Sequence, residues 1–373
     1  MPSFGQITNY KMKNRLNQLG KEKTPFLFVI DFDVNQFDIA PLNKLDNPIL
    51  FSIDGFSNVT PNYQLKNFPN PPFHLKKKAI RFARYTAAFN RVIKEMIDGN
   101  TYLLNLTFPT EIEVNATLLN IFLASQAPFK LYFQDKFVTF SPERFIKIEN
   151  NRIKTYPMKG TIDAHLPNAQ QIILADEKEK AEHTMVVDLL RNDLSIVAKK
   201  VSVNKFRYID KIKAGPKQLL QVSSEISGVL ENTWHDKIGD IVLPLLPAGS
   251  ISGAPKIKTV EIINAVEGYK RGFFTGVFGY FDGNKLDSAV MIRFIEKQGD
   301  KMIYKSGGGI TIDSDVTKEY QEMLDKVYIP TWLGKNKPLK IKIKIRSRHN
   351  FHHPSFNPIL VVTPVGIRVS DRP

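Results

Sequence analysis

Three short apolar runs follow one another at residues 129–133, 137–141 and 145–148, rich in Phe, Leu, Val or Ile. The residues between them are Gln134-Asp135-Lys136 and Pro142-Glu143-Arg144, too few to hold a helix. Strands joined by connections this short pair antiparallel, because a parallel neighbour needs a crossover of about a dozen residues or more. Other strand-like stretches lie at 26–32, 102–107, 201–203, 219–230, 276–281, 288–294 and 301–305. Helical spacing of apolar residues marks 79–98, which stops at Gly99, and also 175–199, 255–268 and 317–328. Pro255 opens the third of these helices, with Ser252 and Gly253 ahead of it as N-cap candidates, and Gly268 ends it. Residues 58–72 are rich in Pro and Asn and predict a loop. Because the strands come in hairpin-like groups rather than strict βαβ units, the pattern predicts an α+β fold. It would be a single large domain with mainly antiparallel sheets in its core and helices outside.

A chain of 373 residues with 42% hydrophobic content can bury a sizeable core. No run of about 18 apolar residues exists to span a membrane, and residues 1–13 are polar and lack a signal-like apolar segment. A soluble cytoplasmic protein is the expectation. The absence of cysteine excludes disulfides, thiolate metal sites and cysteine nucleophiles.

The net charge of +15 raises the competing reading of a nucleic-acid-binding protein. However, residues 331–373 carry nine Lys/Arg against the single acid Asp371, so eight of those charges sit there and seven on residues 1–330. That last segment alternates Lys and Ile over 340–346 and then turns His/Pro-rich; it reads as a disordered or non-native basic tail without a catalytic role. A mildly basic body suits a small anionic substrate, and no nucleic-acid motif is present.

Several residues have chemistry-bearing potential beside a bland alternative. Glu182 lies among Met185, Val186 and Leu189 at i+3, i+4 and i+7, so a carboxylate sits in the apolar stripe of its helix. A buried acid must be ion-paired, hydrogen-bonded or bound to metal. Glu322 lies off the stripe of Tyr320, Leu324 and Val327 and faces Lys326 at i+4, which reads as a surface pair. Ser306-Gly307-Gly308-Gly309 follows a strand; its backbone N–H groups could converge on an anion, or the run could be a flexible loop. Lys159, between Pro157 and Gly160-Thr161, is either a solvated turn lysine or, with a lowered pKa, a nucleophilic amine. Glu143 has Arg144 beside it as a ready partner.

Taken in order, seven segments resemble the chorismate-utilising enzyme family of anthranilate, aminodeoxychorismate and isochorismate/salicylate synthases. They are Ser-Pro-Glu-Arg-Phe (141–145), Pro-Met-Lys-Gly-Thr (157–161), Ala-Glu-His-Thr-Met-Val-Val-Asp-Leu-Leu-Arg-Asn-Asp-Leu (181–194), Pro-Ala-Gly-Ser-Ile-Ser-Gly-Ala-Pro-Lys (247–256), Gly-Val-Phe-Gly-Tyr (276–280), Ser-Gly-Gly-Gly-Ile-Thr (306–311) and Glu-Met-Leu-Asp-Lys (322–326). The resemblance implies a chorismate-binding catalytic region over 80–330, with residues 1–79 as the N-terminal part of the same fold. It implies Mg²⁺ held by Glu182 and Glu322. It also implies that Arg293 and the Gly307, Gly308 and Gly309 amides bind substrate carboxylates, that Tyr304 and Ser250 line the site, and that Glu143 is the general acid.

Within the family, aminodeoxychorismate synthases carry a lysine matching Lys159, thought to attack the ring at C2, where anthranilate synthases carry alanine. Isochorismate-type enzymes need a lysine base four residues after a glycine matching Gly99; here Leu103 stands there. Leu103 also replaces a glutamine common in aminating members, and Gln221-Val222 replaces the usual His-Leu. The resemblance therefore points to amination of chorismate at C4 on the route to p-aminobenzoate and folate. Anthranilate synthase is the nearest rival. Lacking cysteine, the chain would take free ammonia or rely on a separate glutamine amidotransferase subunit.

Overall fold

The computed structural model describes residues 4–45, 48–59, 73–214 and 217–331. The loop expected at 58–72 falls almost wholly outside them, as does the basic tail after Thr331. The described residues build two nine-stranded sheets, and every strand pairing in them is antiparallel. In space, the first sheet runs Met158–Asp163, Lys217–Val229, Arg152–Thr155, Arg144–Glu149, Leu286–Val290, Val277–Phe281, Phe26–Ile30, Phe37–Pro41, with Lys199–Ala214 also on Lys217–Val229. The second runs Gly253–Ala254, Leu103–Val114, Lys301–Ile310, Phe294–Gln298, Phe137–Ser141, Phe129–Phe133, Ile49–Ile53, Phe56–Ser57, with Leu75–Lys78 also on Leu103–Val114. The α+β architecture with antiparallel sheets is as expected, but of the two short connections only 134–136 joins paired strands; across 142–143 the chain changes sheet, so Phe137–Ser141 and Arg144–Glu149 do not pair. The first 57 residues contribute strands to both sheets, pairing with chain more than a hundred residues away at Val277–Phe281 in one and 76 or more away at Phe129–Phe133 in the other.

Strand Phe26–Ile30 shows how the core forms. All five residues are buried, and successive side chains leave a strand on opposite faces. Phe26, Phe28 and Ile30 pack into the main core with Trp234, Phe281 and the helices. Leu27 and Val29 pack into a second cluster with Phe51, Phe133, Phe278 and Phe294. A third cluster lies beneath the short helix Leu118–Ala124 and contains Ile121, Phe122, Phe140 and Val327.

Helix Phe82–Ile97 buries Tyr85, Ala88, Phe89, Val92 and Met96, one face at helical spacing, and Gly99 beyond it takes φ +75°. Helix Lys256–Glu267 ends on the left-handed Gly268, which glycine adopts without a Cβ penalty. Its start differs from the expectation: Pro255 is the N-cap and no side chain caps it. Ser252 Oγ donates instead to Ala248 O, and Gly253–Ala254 is a strand edge paired with Leu103 and Leu104. The polar N-terminal stretch also holds an unforeseen helix, Phe4–Lys21, which buries Met12, Leu16 and Leu19. None of the described helices is long and apolar enough to cross a membrane.

Twice the chain passes from one sheet to the other in two or three residues. Phe137–Ser141 lies in the second sheet and Arg144–Glu149 in the first; Leu286–Val290 lies in the first and Phe294–Gln298 in the second. The strand expected across 288–294 is therefore broken at Met291, Ile292 and Arg293. Backbone bonds tie the two crossings together, Val290 N–H donating to Glu143 O (3.2 Å) and Phe140 N–H to Arg293 O (3.1 Å).

Candidate active site

The two crossings present Glu143 and Arg293 to one cavity of about 170 Å³, also lined by Leu103, Lys159, Ser250, Gly307, Gly309 and Lys326. Arg293 sits at φ +53°, and its buried Nε has no hydrogen-bond partner. A left-handed arginine costs backbone energy, of the kind that clusters at functional sites. Glu143 does not pair with Arg144, which is held by Asp287 (2.8 Å) and Asp54 (2.7 Å). Glu143 accepts a hydrogen bond from Ser250 Oγ instead. Burial pushes its carboxyl above the usual range, opposed by that hydrogen bond and by the Lys326 and Arg293 cations. It therefore tends to keep its proton, as a general acid must.

Lys159 is not in a surface turn. It lies in strand Met158–Asp163, at a bulge between Lys159 and Thr161, and bulges re-aim side chains beside active sites. Its Nζ is 2.6 Å from Glu182 Oε2, and the side chain is 25% exposed. Burial alone would push the ammonium down, but the charge and hydrogen bond of Glu182 leave it above the ordinary lysine value. Glu182 is buried in helix Glu177–Val197, as its place in the apolar stripe predicted. Gln221, on the neighbouring strand, pairs with Thr161.

The three glycines form neither a loop nor a turn. They continue strand Lys301–Ile310, with Gly307, Gly308 and Gly309 opposite Thr107, Leu106 and Asn105. A Cβ on Gly307 would stand 2.2 Å from Leu106 O, so only glycine permits this approach. Gly309 faces the cavity: its Cβ would lie 3.5 Å from Leu103 Cδ1 and 3.8 Å from Lys159 Nζ. Gly308 faces the other way, its Cβ position 3.4 Å from Glu319 Oε2, 3.6 Å from Glu322 Oε1 and 3.7 Å from Lys326 Nζ. Tyr304, on the same strand, is fully buried in the third core cluster with its hydroxyl donating to Tyr328 O (3.0 Å). It does not line the cavity, because strand alternation turns it into the core.

Glu322 is half-exposed and pairs with Lys326 at 2.5 Å, as its spacing suggested. Lys326 also donates to Gly307 O (2.9 Å), which makes it part of the cavity wall, a placement the sequence reading missed. Two further acids were missed. Glu179 and Glu319 lie three residues before Glu182 and Glu322, hence on the same helix faces. Burial raises the carboxyls of both. Lys178 bridges the two helices, 3.7 Å from Glu182 and 4.0 Å from Glu319.

Among the described residues no group of three or more His, Cys, Asp or Glu side chains is arranged to hold a metal ion, but the acids of the two helices, Glu179, Glu182, Glu319 and Glu322, are of the chemical type a hard divalent cation takes. Every donor is a carboxylate oxygen, which Mg²⁺ prefers, and the buried Glu179 Oε2 has no partner of its own. Ammonium groups lie against Glu182 and Glu322, so both carboxylates already attract positive charge.

Residues 42–331 match the family described as chorismate binding enzyme. An "uncharacterized PabA-like protein" of Pasteurella multocida is 52% identical over 84% of this chain and 96% of its own length. Aminodeoxychorismate synthase component 1 of Escherichia coli is 33% identical over 65% of this chain and 56% of its own. Among solved structures, anthranilate synthase component I of Streptococcus pneumoniae superposes with a TM-score of 0.58 at 26% identity, over 69% of this chain and 59% of that one.

Proposed function

We propose that this chain, which belongs to the chorismate-binding enzyme family, aminates chorismate at C4 to give 4-amino-4-deoxychorismate, as an aminodeoxychorismate synthase. One observation carries the choice among the family's reactions. Lys159 and Glu143 line the same cavity as Leu103, so an amine and an acid face the substrate space while the position of a water-activating base is a hydrocarbon wall.

In this reading Arg293 receives a substrate carboxylate, since its planar fork binds carboxylates bidentately, and the side-chain-free face at Gly309 lets the ring approach Lys159. Lys159, which Glu182 holds as an ammonium, must first give its proton to solvent; the freed amine then forms a bond to C2, the ring double bonds shift, and the C4–O bond breaks as Glu143 gives its proton to the departing hydroxyl, which leaves as water. Ammonia then bonds to C4, the double bonds shift back, and the C2–N bond breaks, its electron pair returning to Lys159 as free amine. Glu143 regains its proton from the new ammonium. The sum is chorismate plus ammonia to aminodeoxychorismate plus water, one hard displacement divided into two easier ones. Glu182 and Glu322 would hold Mg²⁺, which when bound would neutralise and anchor a substrate carboxylate.

The "component 1" in the name of the Escherichia coli relative supports a second component here, a glutamine amidotransferase supplying ammonia, with the product serving p-aminobenzoate formation. Purified protein incubated with chorismate, Mg²⁺ and ammonium, with products separated and weighed by mass spectrometry, tests this. Aminodeoxychorismate from the wild type, lost in Lys159→Ala, is the expected result; anthranilate would assign the chain to the rival reaction.

A further inference from the structure

Arg271 lies between helix Lys256–Glu267 and strand Val277–Phe281 and is buried. Its guanidinium has five N–H donors, and each finds an acceptor. Nε donates to Glu267 Oε2 (2.9 Å) and Nη2 to Glu267 Oε1 (2.6 Å). Nη2 also donates to Asn105 O (2.6 Å), and Nη1 to Ile251 O (2.9 Å) and Thr275 Oγ1 (3.3 Å). Asn105, Ile251 and Thr275 belong to separate segments of chain, and all of them line the main cavity, whereas Arg271 does not. Glu267 Oε1 is itself tied to the first of these segments, accepting from Thr107 N–H and Oγ1, both at 2.8 Å.

We propose that Arg271 is a positioning residue for the chorismate cavity, its fork fixing from behind where these wall segments stand. The proposal rests on reading that cavity as the chorismate site, and not on which product leaves it. Each segment carries something the site uses. Ile251 follows Ser250, the hydrogen-bond donor to Glu143. Thr275 is held at φ +62°, a left-handed backbone that is an outlier for a β-branched residue, and its N–H donates to Met291 O (2.8 Å) on the crossing that carries Arg293. Asn105 pairs with Gly309, whose open face looks onto Lys159. Stability alone does not account for the arrangement, since a buried ion pair is often no better than apolar side chains of the same volume. A lysine would keep the charge against Glu267, but its compact ammonium lacks the planar fork and cannot span the same acceptors.

The test compares Arg271→Lys with Asn17→Ala, which loosens a contact of the N-terminal helix away from the cavity, using the whole chain at a temperature where circular dichroism shows both folded. Chorismate affinity is read by titration calorimetry, and kcat and KM by turnover. Arg271→Lys is expected to weaken chorismate binding and to lower kcat/KM at least about tenfold, because small displacements of binding groups cost rate steeply; Asn17→Ala should change neither. If Arg271→Lys lowers the melting temperature but keeps the chorismate Kd and kcat/KM of the wild type, as Asn17→Ala does, Arg271 is a structural anchor only and the proposal is overturned. Where Arg271→Lys does not fold, Glu267→Gln, which keeps the side-chain volume and the Oε1 acceptor but loosens the fork, is judged by the same criterion; a fold lost in both also overturns it. Failure of the function argued above looks different: the wild type would yield anthranilate or turn nothing over, and the calorimetric comparison would still decide the role of Arg271. A wild type that does not bind chorismate overturns both.

Discussion

At the scale of single residues, the environment of Glu143 makes a signed prediction. Burial raises its carboxyl, while Ser250, Lys326 and Arg293 pull it back down. Its acid form declines as pH rises through that raised value, so turnover must fall on the alkaline side. Ser250→Ala removes one of the lowering interactions, so the alkaline limb of the rate profile should move to higher pH. A limb that stays in place, or moves down, would remove Glu143 from the role of acid. The same proton favours the fold below the ordinary carboxylate value, and this contribution disappears as pH climbs through the raised one. Glu143→Gln keeps the shape without the proton and should lower kcat by about 10²–10⁴-fold, with chorismate KM changed far less. Sequence reasoning located the buried Glu182 from its helical stripe and the Glu322–Lys326 pair from spacing. It could not show that Lys159 faces inward, because a Pro-Met-Lys-Gly segment reads as a turn unless the bulge opposite Val222 and Gln221 is known.

At the scale of elements, the glycine strand separates packing from function. A Cβ on Gly307 would meet a neighbouring carbonyl, whereas one on Gly309 would make only ordinary contacts with Leu103 Cδ1 and Lys159 Nζ. Gly307→Ala must push Lys301–Ile310 away from Leu103–Val114, and overpacking of this kind costs about 1–3 kcal/mol. Thermal denaturation should show the loss. In Gly309→Ala the new methyl has ordinary contacts, so stability should change by less than about 0.5 kcal/mol, yet the methyl points at Lys159 and should raise the KM for chorismate. Equal melting temperatures for the two variants would contradict the assigned faces. Glycine is depleted in strands, which is why the run looked like a loop following a strand rather than its continuation. The break at Met291–Arg293 was hidden for the opposite reason: Val290-Met291-Ile292-Arg293-Phe294 has no turn residue, and the chain leaves its sheet there because backbone bonds to Glu143 and Phe140 take it across.

At the scale of the whole molecule, the antiparallel α+β character was legible because a short connection such as 134–136 dictates it, but the pairing of residue 26 with residue 281 was not, since no local pattern encodes a partner that far away. The N-terminal helix shows the same limit. Its side chain Asn17 donates to Asp240 (2.6 Å) and accepts from Gly239 N–H (2.7 Å), and Gly239 has no room for a Cβ, which would lie 2.5 Å from Lys13 O. The helix is held by this contact together with Met12, Leu16 and Leu19, which it buries in the main core. Asn17→Ala leaves the Gly239 N–H unpaired and should cost about 1–3 kcal/mol without altering kcat.

The distribution of charge also belongs to the whole molecule. The family match stops at residue 331, and every cavity residue lies between Leu103 and Lys326, whereas more than half of the net positive charge lies beyond Thr331. If the two are independent, a chain ending at Thr331 should elute from a heparin column at much lower salt, because each basic contact to a polyanion adds to the salt dependence of binding, while its kcat and KM for chorismate stay unchanged. Heparin retention that survives the truncation would place the polyanion affinity on the body itself, in competition with chorismate for the positive groups Arg293 and Lys326. Chorismate should then displace the truncated chain from the column.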